Sequence, residues 1–144
     1  MTDLTLAAAD TIIKAGLAHA REKNMKPLGI VVLDARGAVK TYGAEDGTSL
    51  KRYEIAHGKA HGALAFGIGS RTLGKMAVER PHFVAAATQA VGTLIPVAGG
   101  VLVKNAAGTV IGAVGVSGDT SDNDEAAALA GIAAAKLVGD GGAG

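Results

Sequence analysis

The sequence predicts an α/β domain, of the α+β kind, in which helices cover the faces of one mostly antiparallel sheet. Its 144 residues are the length of a single domain. Strand-like patterns come in two pairs, each joined by a short turn that contains glycine, and such hairpins connect antiparallel strands. Helical patterns precede, separate and follow the two pairs, so the helices are expected to pack on the sheet.

The predicted elements follow the order helix, two strands, three helices, two strands, helix. The helices carry apolar residues three and four positions apart, and the strands are rich in β-branched residues. The predicted limits are residues 4–23, 28–34, 38–42, 50–68, 71–79, 81–91, 101–105, 109–117 and 124–138. Residues 1–138 therefore form one predicted domain, and the glycine-rich residues 139–144 are predicted to be a disordered tail.

The composition excludes several classes of function. Two Tyr, two Phe and no Trp leave few surfaces for stacking bases, and 14 basic against 13 acidic residues give no basic patch, so we expect no nucleic-acid partner. The lack of cysteine excludes disulfides and thiol catalysis and fits a reducing cytoplasm. No signal-peptide pattern and no apolar run of membrane-spanning length is visible, so we expect a cytoplasmic protein without a membrane partner.

The last predicted strand, residues 109–117, carries glycines that allow close approach of another backbone or of a ligand. It ends in Ser117 and Gly118, just before the last helix, where backbone N–H groups suit a carboxylate or phosphate. The alternative is a tightly packed strand followed by a well-capped helix, and these residues alone favour that alternative.

The helix predicted at residues 50–68 holds most of the candidate chemistry. His57 and His61 are four residues apart and share one face with Glu54, beside a stripe of small residues that suits packing on a sheet. Apolar residues also occur on the opposite face, which indicates a subunit interface and hence a homo-oligomer.

Two interpretations of the histidine pair remain open. In one, His57 and His61 bind haem iron or a divalent metal, with Glu54 or Asp46 as a third ligand of zinc or iron. In the other, both are half-buried histidines that hydrogen-bond to the backbone or to water. A spacing of four on a helix often arises by chance, so the second interpretation is favoured.

Lys59 lies among apolar neighbours on the same helix. If it is buried, its pKa falls and it becomes a candidate base or nucleophile. If it pairs with a carboxylate, with Asp34, Asp46 or Glu54 as the candidates, it is part of a structural ion pair. We favour the ion pair.

Several blocks of the sequence resemble the GlcG/HbpS-like family of haem-binding or haem-degrading proteins and the C-terminal domain of PduO-type proteins. The blocks are Leu33-Asp34-Ala35-Arg36-Gly37, Asp46-Gly47, Gly58-Lys59-Ala60, Ala65-Phe66-Gly67, Pro96-Val97-Ala98-Gly99-Gly100-Val101 and residues 111–118 followed by Asp124-Glu125. The resemblance implies a profilin-like three-layer domain, assembly into homo-oligomers and, in some members, haem as a ligand; other members belong to catabolic operons.

The sequence departs from the family at three places. The loop Ala44-Glu45-Asp46-Gly47 lacks the basic residue that commonly precedes the acidic residue and glycine, so an arginine anchor for a ligand carboxylate is missing there. Leu102 replaces a usual proline, and histidines at both 57 and 61 are atypical.

Three functions follow from these observations. The leading hypothesis is a small-ligand-binding protein for haem or a related tetrapyrrole, with Asp46, His57, His61, Ser117 and Gly118 as ligand-binding residues. The second is a small-molecule enzyme of a catabolic pathway, an isomerase, lyase or hydrolase, with Lys59, His57 and Glu54 as catalytic residues alongside His61. The third is a non-catalytic oligomeric module. The first two require the imidazoles to open onto a cleft bordered by residues 112–118.

Overall fold

The computed structural model describes residues 3–143, which form five helices and five strands. Met1, Thr2 and Gly144, which belong to the predicted domain and tail, lie outside the described residues. The elements are α1 (Leu6–Glu22), β1 (Gly29–Asp34), β2 (Val39–Ala44), α2 (Arg52–Phe66), α3 (Ser70–Glu79), α4 (Pro81–Val91), β3 (Gly100–Lys104), β4 (Val110–Ser117), α5 (Ser121–Ala134) and β5 (Val138–Asp140).

The strands form one sheet in the order β2-β1-β4-β3-β5, with every neighbouring pair antiparallel. The predicted antiparallel sheet is therefore confirmed. β4 lies at the centre of the sheet, where Val114 pairs with Val32 of β1 and Val101 of β3. Side chains alternate between the two faces of a strand, so β4 supplies residues to the packing on both sides of the sheet.

Helices cover both faces of the sheet and give a three-layer domain. On one face, α1 and α5 pack on the side chains of the larger core cluster, among them Ile12, Ile30, Val103, Val114 and Ile132. On the other face, Ala56 and Ala60 of α2 pack on a second cluster formed by Val31, Leu33 and Ala113. The α3 and α4 helices build a smaller cluster of their own around Leu73, Val84 and Leu94.

Two glycines allow α2 to lie unusually close to the sheet. A Cβ atom added to Gly115 of β4 would overlap the carbonyl oxygen of Ala56, and one added to Gly100 of β3 would overlap that of Lys59. The backbone of α2 thus touches the strands directly, because neither strand has a side chain at the point of contact. Gly100 and Gly115 of the last hairpin thus serve helix packing.

The predicted disordered tail does not begin at residue 139, because residues 138–140 form a strand. The last helix begins at Ser121 and ends at Ala134, earlier than predicted, because Lys136 adopts a left-handed conformation with φ 61°. The chain then returns as β5, which pairs with β3, and Asp140 accepts a hydrogen bond of 2.8 Å from the ammonium group of Lys104.

None of the helices described for residues 3–143 combines the length and the apolarity that crossing a lipid bilayer requires.

The close contact between α2 and β4 yields a stability prediction. We expect Gly115→Ala to lower the free energy of unfolding by about 3 kcal/mol, because the new methyl group has to displace a helix backbone rather than a side chain. Urea unfolding followed by circular dichroism measures the change. Gly37→Ala is the control: its added Cβ meets no atom, and only its φ of +86° carries a cost, of about 1 kcal/mol. An equal loss in both variants would contradict close packing.

Candidate functional site

An aromatic row runs along one side of α2 and continues onto the sheet. Tyr53, His57 and His61 are spaced by four residues and therefore lie on one face of the helix. The His57 and His61 rings stack at 5.5 Å between centroids with 15° between their planes, and the Tyr53 centroid lies 5.7 Å from that of His57. Tyr42 of β2 completes the row by an edge contact of 4.9 Å with Tyr53.

His61 is held in one orientation by the end of α4. Its Nε2 atom lies 2.8 Å from the carbonyl oxygen of Val91. A carbonyl can only accept a hydrogen bond, so Nε2 donates the proton, and in the neutral ring Nδ1 then carries the lone pair. His61 also borders a cavity of about 170 Å³ that the turn at residues 35–37 and Leu64 and Ala65 complete.

His57 is half-buried, and its ring nitrogens make no hydrogen bond within residues 3–143. Burial lowers the pKa of its imidazole below the ordinary value of 6.5, and the neighbouring His61 lowers that pKa further. The neutral form of His57 therefore predominates at pH 7, and it has a ring nitrogen available as an electron-pair donor.

Two carboxylates predicted to act with the histidines lie elsewhere. Glu54 is exposed and pairs with Lys51 at 3.6 Å. Asp46 is also exposed and borders a separate cavity of about 420 Å³ next to Arg21 and Pro27. Among the described side chains, no three His, Asp or Glu residues come together as a set of metal ligands. A zinc or iron site with a third carboxylate ligand is therefore not assembled within one described chain.

Lys59 points into the protein, away from the aromatic row. Its ammonium group donates to Asp124 at 3.0 Å and to the carbonyl oxygen of Val116 at 2.9 Å, and the Lys59 and Asp124 residues are only 2% and 1% exposed. Burial lowers the pKa of Lys59 and raises that of Asp124, and the opposite charge of the partner counteracts each shift. The favoured ion pair exists, but the predicted partners Asp34, Asp46 and Glu54 were wrong.

The catalytic set proposed for an enzyme is thus spread over three places. Lys59 is buried beneath α2, Glu54 lies at the surface, and His57 belongs to the aromatic row. Acid–base catalysis needs its groups within hydrogen-bond reach of one reacting centre, and these contacts within one chain do not bring the three side chains together.

Ser117 and Gly118 lie at the far end of β4, next to a residue that the sequence analysis missed. Arg52, the first residue of α2, donates to the hydroxyl of Ser117 at 3.0 Å and to that of Ser49 at 2.9 Å. Arg52, Ser49 and Gly118 border a cavity of about 170 Å³. Arg52 could have been identified from its position at the start of a helix, because an arginine there is suited to contact a bound anion.

The expected cleft between the imidazoles and the glycine strand is absent from the described residues. The backbone of α2 covers Gly115, and residues 111–117 are buried, so β4 lies beneath the helix and borders no opening next to the imidazoles. The predicted opening beside residues 112–118 was therefore wrong: the cavity at His61 is bordered by the turn between β1 and β2, and any ligand of the imidazoles has to bind on that side of α2. Tyr53 was detectable from its spacing to His57, whereas the contribution of Tyr42 depends on the strand register.

The comparison with protein families now becomes informative. The family model described as "Haem degrading protein HbpS-like" matches residues 4–133, most of the chain. The chain belongs to the HbpS-like family. The resemblance stated from the sequence is therefore confirmed. A comparison with curated proteins found no significant match to this HbpS-like chain.

Solved structures agree with the HbpS-like fold. A crystal structure of HbpS is 28% identical, with 92% of this chain and 90% of that chain covered and a TM-score of 0.80. The protein ORFY from Klebsiella pneumoniae is 25% identical, with coverage of 94% and 92% and a TM-score of 0.83. A PduOC:haem complex is 22% identical, with coverage of 94% and 96% and a TM-score of 0.83, which is evidence for a shared fold.

The Lys59–Asp124 pair yields a second stability prediction. Asp124→Asn leaves the buried Lys59 ammonium without a counter-charge, so we expect a loss of about 3–5 kcal/mol in the free energy of unfolding, measured in urea at pH 7. Asp122→Asn is the matched control on the same helix, because the Asp122 side chain is 80% exposed and its pairing with Arg71 is a surface ion pair. A similar loss of unfolding free energy in the two variants would contradict a larger contribution from the buried pair than from the surface pair.

Proposed function

We propose that this chain binds haem or a related tetrapyrrole on the side of α2 that carries the aromatic row, with His57 as the iron ligand. Membership of the HbpS-like family, whose description names haem degradation, supports a haem-related role. The solved structure of a PduOC:haem complex shows that a protein of the same fold holds haem.

The observation that carries the proposal is the state of His57. A haem iron takes an axial ligand from a neutral imidazole with a free lone pair, and His57 has a lowered pKa and no hydrogen-bonding partner within residues 3–143. His61 is the second candidate. Its Nε2 contact with Val91 fixes the ring, as partners of metal-binding histidines commonly do.

The neighbouring side chains fit a planar, largely apolar ligand that carries carboxylates. Tyr42 and Tyr53 offer aromatic surface next to the imidazoles, and Arg36, an exposed cation that pairs with Asp34 at 3.4 Å, borders the cavity beside His61. When bound, haem would supply an iron centre; the protein residues would supply the ligand nitrogen, apolar contact and charge.

The size of the cavity favours a site completed by a second copy of the chain. About 170 Å³ beside His61 is well below the roughly 300–1,000 Å³ of pockets that enclose a drug-sized ligand. A tetrapyrrole on one chain would thus remain largely uncovered. We therefore include a homo-oligomer in the proposal, with part of the ligand enclosed between subunits.

Titration with hemin tests the proposal. We expect a Soret band that saturates with added protein, and His57→Ala should weaken the apparent affinity by at least about tenfold, because it removes the ligand itself. Free imidazole should restore the band in that variant. His82→Ala is the matched control, since His82 is an exposed histidine at the start of α4. Unchanged binding in both the His57→Ala and the His61→Ala variants would overturn the proposal.

The pH dependence of hemin binding gives an independent prediction. Protonation of His57 competes with iron, so affinity should fall as the pH decreases through the pKa of this residue. Because burial and His61 depress that pKa, the midpoint should lie below 6.5. Titrations from pH 5 to pH 8 measure it. In His61→Ala, the midpoint should move upward, because one cause of the depression is removed, and a midpoint above 6.5 in the unmodified chain would contradict the assignment.

A further inference from the structure

A small cationic cavity lies at the N-terminal end of α2. Its volume is about 170 Å³, and it is bordered by Lys26, Pro27, Gly47, Thr48, Ser49, Arg52 and Gly118. Two of these residues are cations and none is an acid. The cavity is bordered by the loop before α2 and by the glycine that follows β4, so it differs from the cavity beside His61.

The guanidinium of Arg52 is fixed in place but is not neutralised. Its Nε atom donates to the hydroxyl of Ser49 and its Nη1 atom to that of Ser117, at 2.9 Å and 3.0 Å. These are two of the five N–H groups of an arginine, and neither acceptor carries a charge. No carboxylate within residues 3–143 lies within 4.0 Å of this guanidinium, in contrast to Arg21, Arg36 and Arg71.

The backbone around Arg52 adds further positive potential. Helix α2 begins without a side-chain cap, and a helix N-terminus carries partial positive charge. The amide of Arg52 donates to the carbonyl oxygen of Ser49, and the acid of the first turn, Glu54, is exposed and pairs with Lys51. Gly47 has a φ of +88°, and its amide donates to no backbone acceptor in the described chain.

The acidic side chain that follows Gly118 in the sequence is already engaged. Asp119 follows Gly118, and its carboxylate accepts hydrogen bonds from the amides of Lys26 and Thr120 and from the side chain of Asn123. These bonds hold the pKa of Asp119 at about 2. The carboxylate thus orders the wall of the cavity without pairing with Arg52.

We propose that this cavity binds a small oxyanion, either the carboxylate of a compact organic acid or inorganic phosphate, with Arg52 as the residue that contacts it. Arginine presents its remaining N–H groups in a planar fork that matches two oxygens of one carboxylate or phosphate. Ser49 and Ser117 act as positioning residues, because their hydroxyls hold the fork in one orientation. Lys26 adds a second positive charge at the cavity wall.

The size of the cavity restricts the ligand. A volume of about 170 Å³ is too small to enclose a drug-sized molecule, so the anion is either a small acid or one end of a longer molecule that extends into solvent. This site does not depend on the haem proposal, since it lies at a different cavity and needs neither imidazole.

Chemical-shift titration of the haem-free, ¹⁵N-labelled chain tests the site, with pyruvate and inorganic phosphate as separate probes at constant ionic strength. We expect saturable shifts for the amides of Gly47, Thr48 and Gly118 with at least one probe. Saturation by pyruvate alone assigns the site to organic acids, and saturation by phosphate alone assigns it to phosphate groups. Lack of saturation with both probes overturns the proposal.

Substitutions separate a built site from general attraction of anions. Arg52→Gln should weaken binding by about tenfold or more, because hydrogen bonds to charged groups are lost. Lys14→Gln, which removes one charge from the exposed side of α1, should leave the affinity unchanged. Equal weakening in these two variants would overturn the proposal.

Two milder variants keep the test valid if Arg52→Gln does not fold. Arg52→Lys retains the charge but loses the fork, and Ser49→Ala removes only one hydroxyl that orients the guanidinium. Both should bind several-fold more weakly while retaining the unfolding midpoint of the unmodified chain; full affinity in both would contradict a role for the fork. Repeating the titration with hemin present distinguishes this site from the haem site. If one of the two ligands does not bind, binding of the other is still expected, because the sites share no residue.

Discussion

The buried ion pair between Lys59 and Asp124 constrains the position of α2. Lys59 extends from the layer on one face of the sheet to the first turn of α5, and it donates to the Val116 carbonyl on the way. Two charges so far from water are costly unless each is paired and hydrogen-bonded. The pair therefore requires α2 and α5 to keep one mutual position, whatever its net contribution to stability.

The glycines of β3 and β4 make that position accessible. Gly100 and Gly115 let the carbonyls of Lys59 and Ala56 come directly against the strands, which shortens the distance the lysine has to bridge. Once the helix rests on this face, its rotation is fixed. Tyr53, His57 and His61 then lie along the side nearest β1 and β2, and Arg52 lies at the end nearest Gly118. One helix thus presents two chemically different surfaces.

Local patterns in the sequence specified most of the fold. The hairpin turns implied an antiparallel sheet, and Pro81 and Gly92 bounded α4 as predicted. The β5 strand was missed because two of its three residues, Gly139 and Asp140, have little strand propensity. Its formation depends on pairing with β3 and on the ion pair between Lys104 and Asp140, two residues that are 36 positions apart in the sequence.

Long-range contacts also explain why the site was predicted only in part. The stacking of His57 on His61 follows from helical spacing, so the sequence was sufficient for it. The partner of Lys59, by contrast, is 65 residues away, and nothing in the spacing distinguishes Asp124 from three other acids. The direction in which the imidazoles open depends on the rotation of α2, and the sequence does not determine that rotation without the contacts beneath the helix.

The separation of the two surfaces has a consequence for ligand chemistry. The aromatic row provides neutral donors and aromatic carbon, which suit a ligand bound through a metal and through apolar contact, whereas the Arg52 cavity provides unneutralised positive charge in a small volume. Because α2 is held rigidly against the sheet, its residues cannot move from one surface to the other, so binding at either place must rely on side chains already in position. Preorganised groups of this sort lose little conformational entropy on binding. Because the two surfaces lie at different places on α2, ligand binding at each can be tested independently on the same folded chain.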